Sequence, residues 1–181
     1  KSMQIAYLKA GVIDIEALTD HAIRSVIFKI AAKYDIKYTF SGNNFTTEGI
    51  LPSSWVYNKN DFRNIKSINN LYGSTKIKTF PGMSLLKFAY YLRFIKINSV
   101  DLLNYLDYNI ENARSIMKKN LAWKNYGGKH HESIFTKFYQ GYILPNKFGV
   151  DKRIAHLSSL ICSGNISRDE ALDVLKKPIY S

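Results

Sequence analysis

One stretch near the start of the chain limits the fold more than any other, because a helical segment, a short strand and a loop of turn formers follow one another directly. Ala22, Ile23, Val26, Ile27, Ile30, Ala31 and Tyr34 recur at i, i+1, i+4, i+5 and i+8. That spacing predicts a helix with these residues on its buried face, and Thr19 or Asp20 is a natural N-cap for it. KYTFS, Lys37 to Ser41, then reads as a strand and ends at once in the loop GNNFTTEG. Helix, strand and glycine loop make half of a βαβ unit, so the expected class is α/β. In open α/β sheets ligands bind just beyond the carboxyl ends of strands, which gives Gly42, Asn43 and Asn44 a privileged place. A connecting loop without a ligand has the same composition, and the pattern leaves both readings open.

The rest of the chain is rich in helix signals. A short helix is predicted around Asp61 to Leu71, then KIKTF (76–80) as a possible strand, then a helix from Leu85 to Ile97 with Ser84 as its cap. Asp101 to Leu121 predicts two further short helices. Ile134, Phe135, Phe138, Tyr139, Tyr142 and Ile143 keep helical spacing up to Pro145, where a helix is expected to stop. Val150, Ile154, Leu157 and Ile161 define the next helix, ended by Gly164. Ser167 and Glu170 form an S-x-x-E capping box that opens a last helix, closed by Pro178. No internal repeat, low-complexity tract or interdomain linker is visible.

At 181 residues and 46% hydrophobic content the chain can build a proper core and falls among globular proteins. The single cysteine, Cys162, cannot form an internal disulfide. Its apolar helical neighbours predict a packed small hydrophobe in a reducing, cytoplasmic compartment. No apolar run reaches the roughly 20 residues of a membrane span, since LLKFAYYLRFIKI is broken by Lys87, Arg93 and Lys96. The chain begins at Lys1 rather than Met, which points to an N-terminus further upstream. A formal charge of +12 suits either a polyanion such as tRNA or small charged substrates such as ATP and sugar nucleotides. The lysines are spread from Lys1 to Lys177, which speaks against a dedicated nucleic-acid face.

Among chemistry-bearing patterns there is no CxxC pair, HExxH, GxSxG or Walker-type loop, and no histidine spacing that makes a metal site. His156, inside an amphipathic helix, reads as a packed or surface side chain. Two constellations stand out. Asp20 and His21 set an acid beside an imidazole at a helix start, where charge can be tuned, although a plain N-cap explains Asp20 as well. Gly127 and Gly128 lead into Lys129, His130, His131 and Glu132, a basic corner at a helix start that can hold an anion or equally be a solvated loop.

GVIDIEALTDHAI, SGNNFTTEGILP and, above all, WKNYGGKHHESIFTKFYQGYILPNKFGVDKRIAHLSSLICSG together resemble the C-terminal half of the N-acetyl sugar amidotransferases of surface-polysaccharide and lipopolysaccharide (LPS) O-antigen biosynthesis. These are PP-loop ATP pyrophosphatases. The resemblance runs from about Gln4 to Leu175 and implies a partial adenine-nucleotide α-hydrolase-like fold with a C-terminal helical region. It implies that residues 1–82 form the end of the α/β ATPase domain and 83–181 the helical region. Two family features are missing, a cysteine-rich N-terminal segment that looks zinc-binding and the SGGKDS phosphate loop, so this chain resembles a fragment that is inactive alone.

The chemistry that the resemblance implies is transfer of AMP from ATP, with Mg2+, onto the oxygen of a sugar acetamido group, and displacement of AMP by ammonia to give an acetamidino group. Ammonia is expected from a separate glutaminase-type subunit and the substrate is expected to be an acetamido sugar nucleotide. The resemblance assigns Ser41, Gly42, Asn43 and Asn44 to the nucleotide, and Thr47, Glu48, Lys152 and Arg153 to substrate or phosphate. It assigns Asp20, His21, Lys129, His130 and Glu132 to the catalytic set. LTDH stands where the family has PTDH, which affects only the local backbone. The alternatives from other classes are a PP-loop tRNA-modifying enzyme and a non-catalytic basic nucleic-acid-binding module.

Overall fold

The computed structural model describes residues 1–124 and 133–179. In chain order the elements are α1 (Ser2–Ala10), α2 (Ala17–Lys33), β1 (Tyr38–Ser41), α3 (Phe45–Glu48), a 3-10 turn (Ser53–Trp55), α4 (Phe62–Tyr72), α5 (Leu85–Arg93) and β2 (Asn98–Asp101). A second 3-10 turn (Leu102–Tyr105), α6 (Ile110–Leu121), α7 (Ile134–Phe138), a π-helical turn (Tyr139–Ile143), α8 (Leu144–Phe148), α9 (Lys152–Cys162) and α10 (Arg168–Lys176) complete the set. The chain is therefore helix-rich, with β1 and β2 paired in a two-stranded sheet. It divides into two compact units, one of Lys1–Ser41 with Ser53–Val100, the other of Gly42–Pro52 with Asp101–Ser181.

In the first unit, Ala6 and Tyr7 of α1 pack with Ala17 and Leu18 of α2 and with Ile65 and Ile68 of α4. A second cluster joins Phe28 and Ala31 of α2 to Met83, Phe88, Tyr91 and Ile97. The face of α2 that these clusters bury is Leu18, His21, Ser25, Phe28 and Ala31, of which the expected set contained Ala31 alone. Ile23, Val26, Ile27, Ile30 and Tyr34 are exposed, between 39% and 65%. The helix also begins five residues before Ala22, so Asp20 lies in its first turn and caps nothing; Glu16 is the N-cap and makes no side-chain capping bond. A helix with two apolar faces offers periodicity for either, and the aromatic partners Phe62, Phe80 and Phe88 select the face that contains Phe28.

Three further expectations need correction. KIKTF forms no strand, and its Phe80 instead turns into the first core cluster. The helix from Leu85 ends at Arg93 rather than Ile97, and Lys96 takes a left-handed φ of 60° before β2. Asn98 then donates its N–H to the carbonyl of Lys37 at 2.8 Å, which starts the pairing with β1. Pro145 does not stop its helix, because α7, the π turn and α8 run on from Ile134 to Phe148. The widened turn beside the side-chain-free Gly141 takes up a residue that has no N–H and whose ring crowds the carbonyl four positions back.

The remaining helix ends follow the sequence closely. Asp61, Ser84 and Ser167 accept bonds from the first-turn amides of α4, α5 and α10, and Ser167 with Glu170 forms the full reciprocal box. Gly164 follows α9 with φ +71°, a conformation that other residues rarely adopt. Cys162, however, is exposed at the end of α9 rather than packed. Among the described residues no helix is long and apolar enough to cross a membrane.

Candidate functional site

The loop after β1 is built from its own side chains. Asn44 is the N-cap of the single-turn helix α3, and its Oδ1 accepts from the Thr47 N–H at 2.9 Å and the Thr47 hydroxyl at 3.0 Å. Its Nδ2 reaches back to the Gly42 carbonyl at 3.5 Å. Asn44 and Thr47 are buried by this arrangement, while Gly42, Asn43 and Glu48 stay exposed. A side chain at Gly42 would meet nothing within 4 Å, so the backbone there borders open space. Phe45 donates its N–H to Asn104 Oδ1 at 2.9 Å, a contact with no signal in the sequence.

In the same unit, α9 packs directly on α3. His156 donates from Nδ1 to the Thr47 carbonyl at 3.0 Å, and Ser159 Oγ accepts from the Ile50 N–H at 2.9 Å. The structure thus brings α3, with the candidates Thr47 and Glu48, onto the helix whose first turn carries Lys152 and Arg153. Arg153 is heavily committed. Its Nε and Nη2 donate to the Asp151 carboxylate at 3.1 and 2.9 Å, and its Nη1 donates to the Lys177 carbonyl at 2.8 Å, with Val174 and Leu175 carbonyls near the limit of bonding. The guanidinium therefore ties the start of α9 to the end of α10, where unsatisfied carbonyls attract a cation.

Asp20 and His21 lie in the first unit and do not bond each other. The Asp20 carboxylate pairs with the ammonium of Lys59, whose Nζ is also 3.7 Å from Asp14. Burial alone would pull the Lys59 pKa down, but Asp20, Asp14 and Glu16 outweigh it and hold the ammonium above its ordinary value. His21 is fully buried. Its Nδ1 donates to the Lys59 carbonyl at 2.7 Å, which leaves Nε2 to accept from the Met83 N–H at 3.1 Å. The ring stacks on Phe62 and Phe80, at centroid distances of 5.4 and 6.0 Å, and meets the edge of Phe88. Burial, with Lys29 and Arg24 nearby, lowers its pKa, so the neutral imidazole is the native form. Beside this cluster Tyr7 is pushed up to about 12 by burial and by Asp14 and Asp61. Gly82 packs so tightly under the Phe62 ring that a Cβ there would collide with it.

Ser41 ends β1, at the edge of the loop. Lys129, His130 and Glu132 lie outside the described residues. Among the described residues no group of three or more His, Cys, Asp or Glu side chains is placed to hold a metal ion. Lys59 and Asn104 come from parts of the chain distant from the residues they bond, and no local pattern marks them. The sequence does contain Ser159 and Ser163, spaced with His156 at i, i+3 and i+7.

A helix-rich α/β chain with a small two-stranded sheet is the class that these features define. Residues 132–181 match the family model described as LPS biosynthesis protein WbpG-like, C-terminal domain. That match supports an LPS-biosynthesis family for the C-terminal part of the chain. No curated protein and no solved structure matches the chain.

Proposed function

We propose that the chain is the C-terminal part of an ATP-dependent amidotransferase that converts a sugar acetamido group to an acetamidino group in LPS biosynthesis. The observation that carries this reading is the WbpG-like match over 132–181, which contains α9 and the Lys152–Arg153 pair. The amide oxygen would attack the α-phosphorus of ATP and release pyrophosphate; ammonia would then add to the activated carbon, and AMP would leave with the oxygen. Such chemistry rewards cations and fixed donors in a confined site.

The residues present fit a nucleotide in part. The backbone at Gly42 borders open space that a phosphate or ribose could take, Asn44 shapes the loop, and Lys152 brings an ammonium to the first turn of α9. Arg153 serves this reading as a brace, since its donors are engaged in α9 and α10. His21 likewise serves as a pin between two backbone segments instead of a proton carrier, and Asp20 as the partner that holds Lys59. Glu48, Lys129, His130 and Glu132 are the remaining candidates for substrate contact. ATP with Mg2+, an acetamido sugar nucleotide and an ammonia-supplying glutaminase-type subunit are the partners of this reading, in the cytoplasm.

The test is to express the complete reading frame that encodes this chain and follow AMP and pyrophosphate with ammonia and UDP- or CMP-linked acetamido sugars. Sugar-dependent AMP release with an acetamidino product supports the proposal. AMP release that requires tRNA and ignores every sugar replaces it with the tRNA-modifying reading, which the charge of +12 favours. The 181 residues contain no SGGKDS loop, so the chain by itself is expected to release no AMP.

A further inference from the structure

We infer that one face of α9, carrying His156, Ser159 and Ser163, is the seat that positions the Gly42–Pro52 loop for its ligand. The inference rests on the reading above in taking that ligand to be a nucleotide. Three observations converge on it. First, the loop groups with the second unit, whereas the chain on both of its sides groups with the first. Its conformation is therefore set by what it packs on, not by β1 alone. Second, α3 is a single turn, too short to hold itself together in water. Third, the bonds from α9 fall on the groups such a turn leaves unsatisfied.

The Thr47 carbonyl can only accept, so His156 Nδ1, 3.0 Å away, carries a proton. Ile50 N–H, just past the end of α3, is bonded to Ser159 Oγ at 2.9 Å, and that hydroxyl passes its own proton to the Ala155 carbonyl at 3.1 Å. Ser159 is 2% exposed, so a change there is not absorbed by solvent. Ser163 Oγ lies 3.2 Å from the Thr46 carbonyl but 2.9 Å from its own Ser159 carbonyl. With one proton to give, it makes the weaker contact. Residues 156, 159 and 163 share one helical face, so the seat is a continuous stripe. His156 and Ser159 are thus positioning residues: they fix the height of α3, and Asn44 transmits that to Gly42 through its bond to the Gly42 carbonyl.

The experiment combines amide hydrogen exchange on this chain with ATP kinetics on the protein from the complete reading frame. Ser159→Ala deletes one oxygen and His156→Ala one donor, while His156→Asn keeps a donor close to the Nδ1 position. Both alanine variants should speed exchange at Thr47 and Ile50 roughly tenfold or more, with the slowest core amides of α9 unchanged. The KM for ATP should rise several-fold with kcat less affected, and His156→Asn should restore both readouts. Unchanged exchange at Thr47 and Ile50 in Ser159→Ala overturns the seat. If His156→Ala loses protection throughout the unit, Ser159→Ala decides alone. Faster exchange with an unaltered KM for ATP upholds the seat and overturns the nucleotide reading of the loop.

Discussion

At His21 two backbone segments, at Lys59 and Met83, depend on one neutral ring, and that dependence has a sign with pH. The lowered pKa means that the unfolded chain takes up a proton near the ordinary value of 6.5 while the folded chain does not. Stability is therefore complete above that value and falls as the pH drops below it. Urea midpoints measured at pH 5 and pH 7.5 should differ, and His21→Asn should flatten the difference relative to the parent; an equal slope in both proteins would exclude His21 as its source. His21→Ala should cost about 3 kcal/mol or more even at pH 7.5, from the stranded Met83 N–H and the hole among Phe62, Phe80 and Phe88. Arg153 makes a second expectation at this scale. Its planar fork spans Asp151 and the α10 carbonyls, so Arg153→Ala should cost about 2 kcal/mol and fray α10, and Arg153→Lys should recover little of it. Circular dichroism and urea titration read both. A silent Arg153→Ala would return the guanidinium to the phosphate role.

Among the elements, α2 shows most sharply what periodicity leaves undecided. Its two apolar faces differ in exposure, so Ile27→Lys should change the stability of this chain by no more than about 0.5 kcal/mol. Phe28→Ala should cost about 3–5 kcal/mol. The reverse order would mean that the other face is the buried one. The exposed stripe of Ile23, Val26, Ile27, Ile30 and Tyr34, with Tyr38 and Phe40 of β1 at 65% and 74% exposure, should also make the chain associate as its concentration rises. Sedimentation should show that association reduced in Ile27→Lys, and a monodisperse parent would count against it. What could be read from the sequence follows the range of the forces involved. The caps at Ser84 and Ser167 and the glycine stop at Gly164 act within a turn of chain, and each was legible. The choice of face on α2, the pairing of the polar NSVD strand with β1, and the commitment of His21 to Met83 depend on partners far along the chain. So does the seat of α3 on α9, where His156 donates to Thr47 and Ser159 accepts from Ile50.

For the whole molecule the charge of +12 takes on a distribution that a count cannot give. The acidic residues of the first unit are Asp14, Glu16, Asp20, Asp35 and Asp61, set against lysines and arginines from every one of its helices. Three of these five acids, Asp14, Glu16 and Asp20, act on the single ammonium of Lys59, which leaves the basic excess of that unit largely uncompensated. Some attraction for any polyanion follows. A dedicated tRNA surface would do more, since each neutralised phosphate releases a counterion and makes affinity fall steeply with salt. A sugar nucleotide held by a few charge-assisted bonds depends on salt only weakly. The protein from the complete reading frame should therefore retain tRNA weakly, without sequence preference, and lose it near physiological salt. Binding of an acetamido sugar nucleotide should survive the same titration and weaken on Lys152→Ala. Filter retention and calorimetry across about 50 to 200 mM salt distinguish the two outcomes. Tight tRNA binding at the upper end, with no sugar nucleotide bound at any concentration of salt, would show that the charge of the first unit is the functional feature and the amidotransferase reading is mistaken.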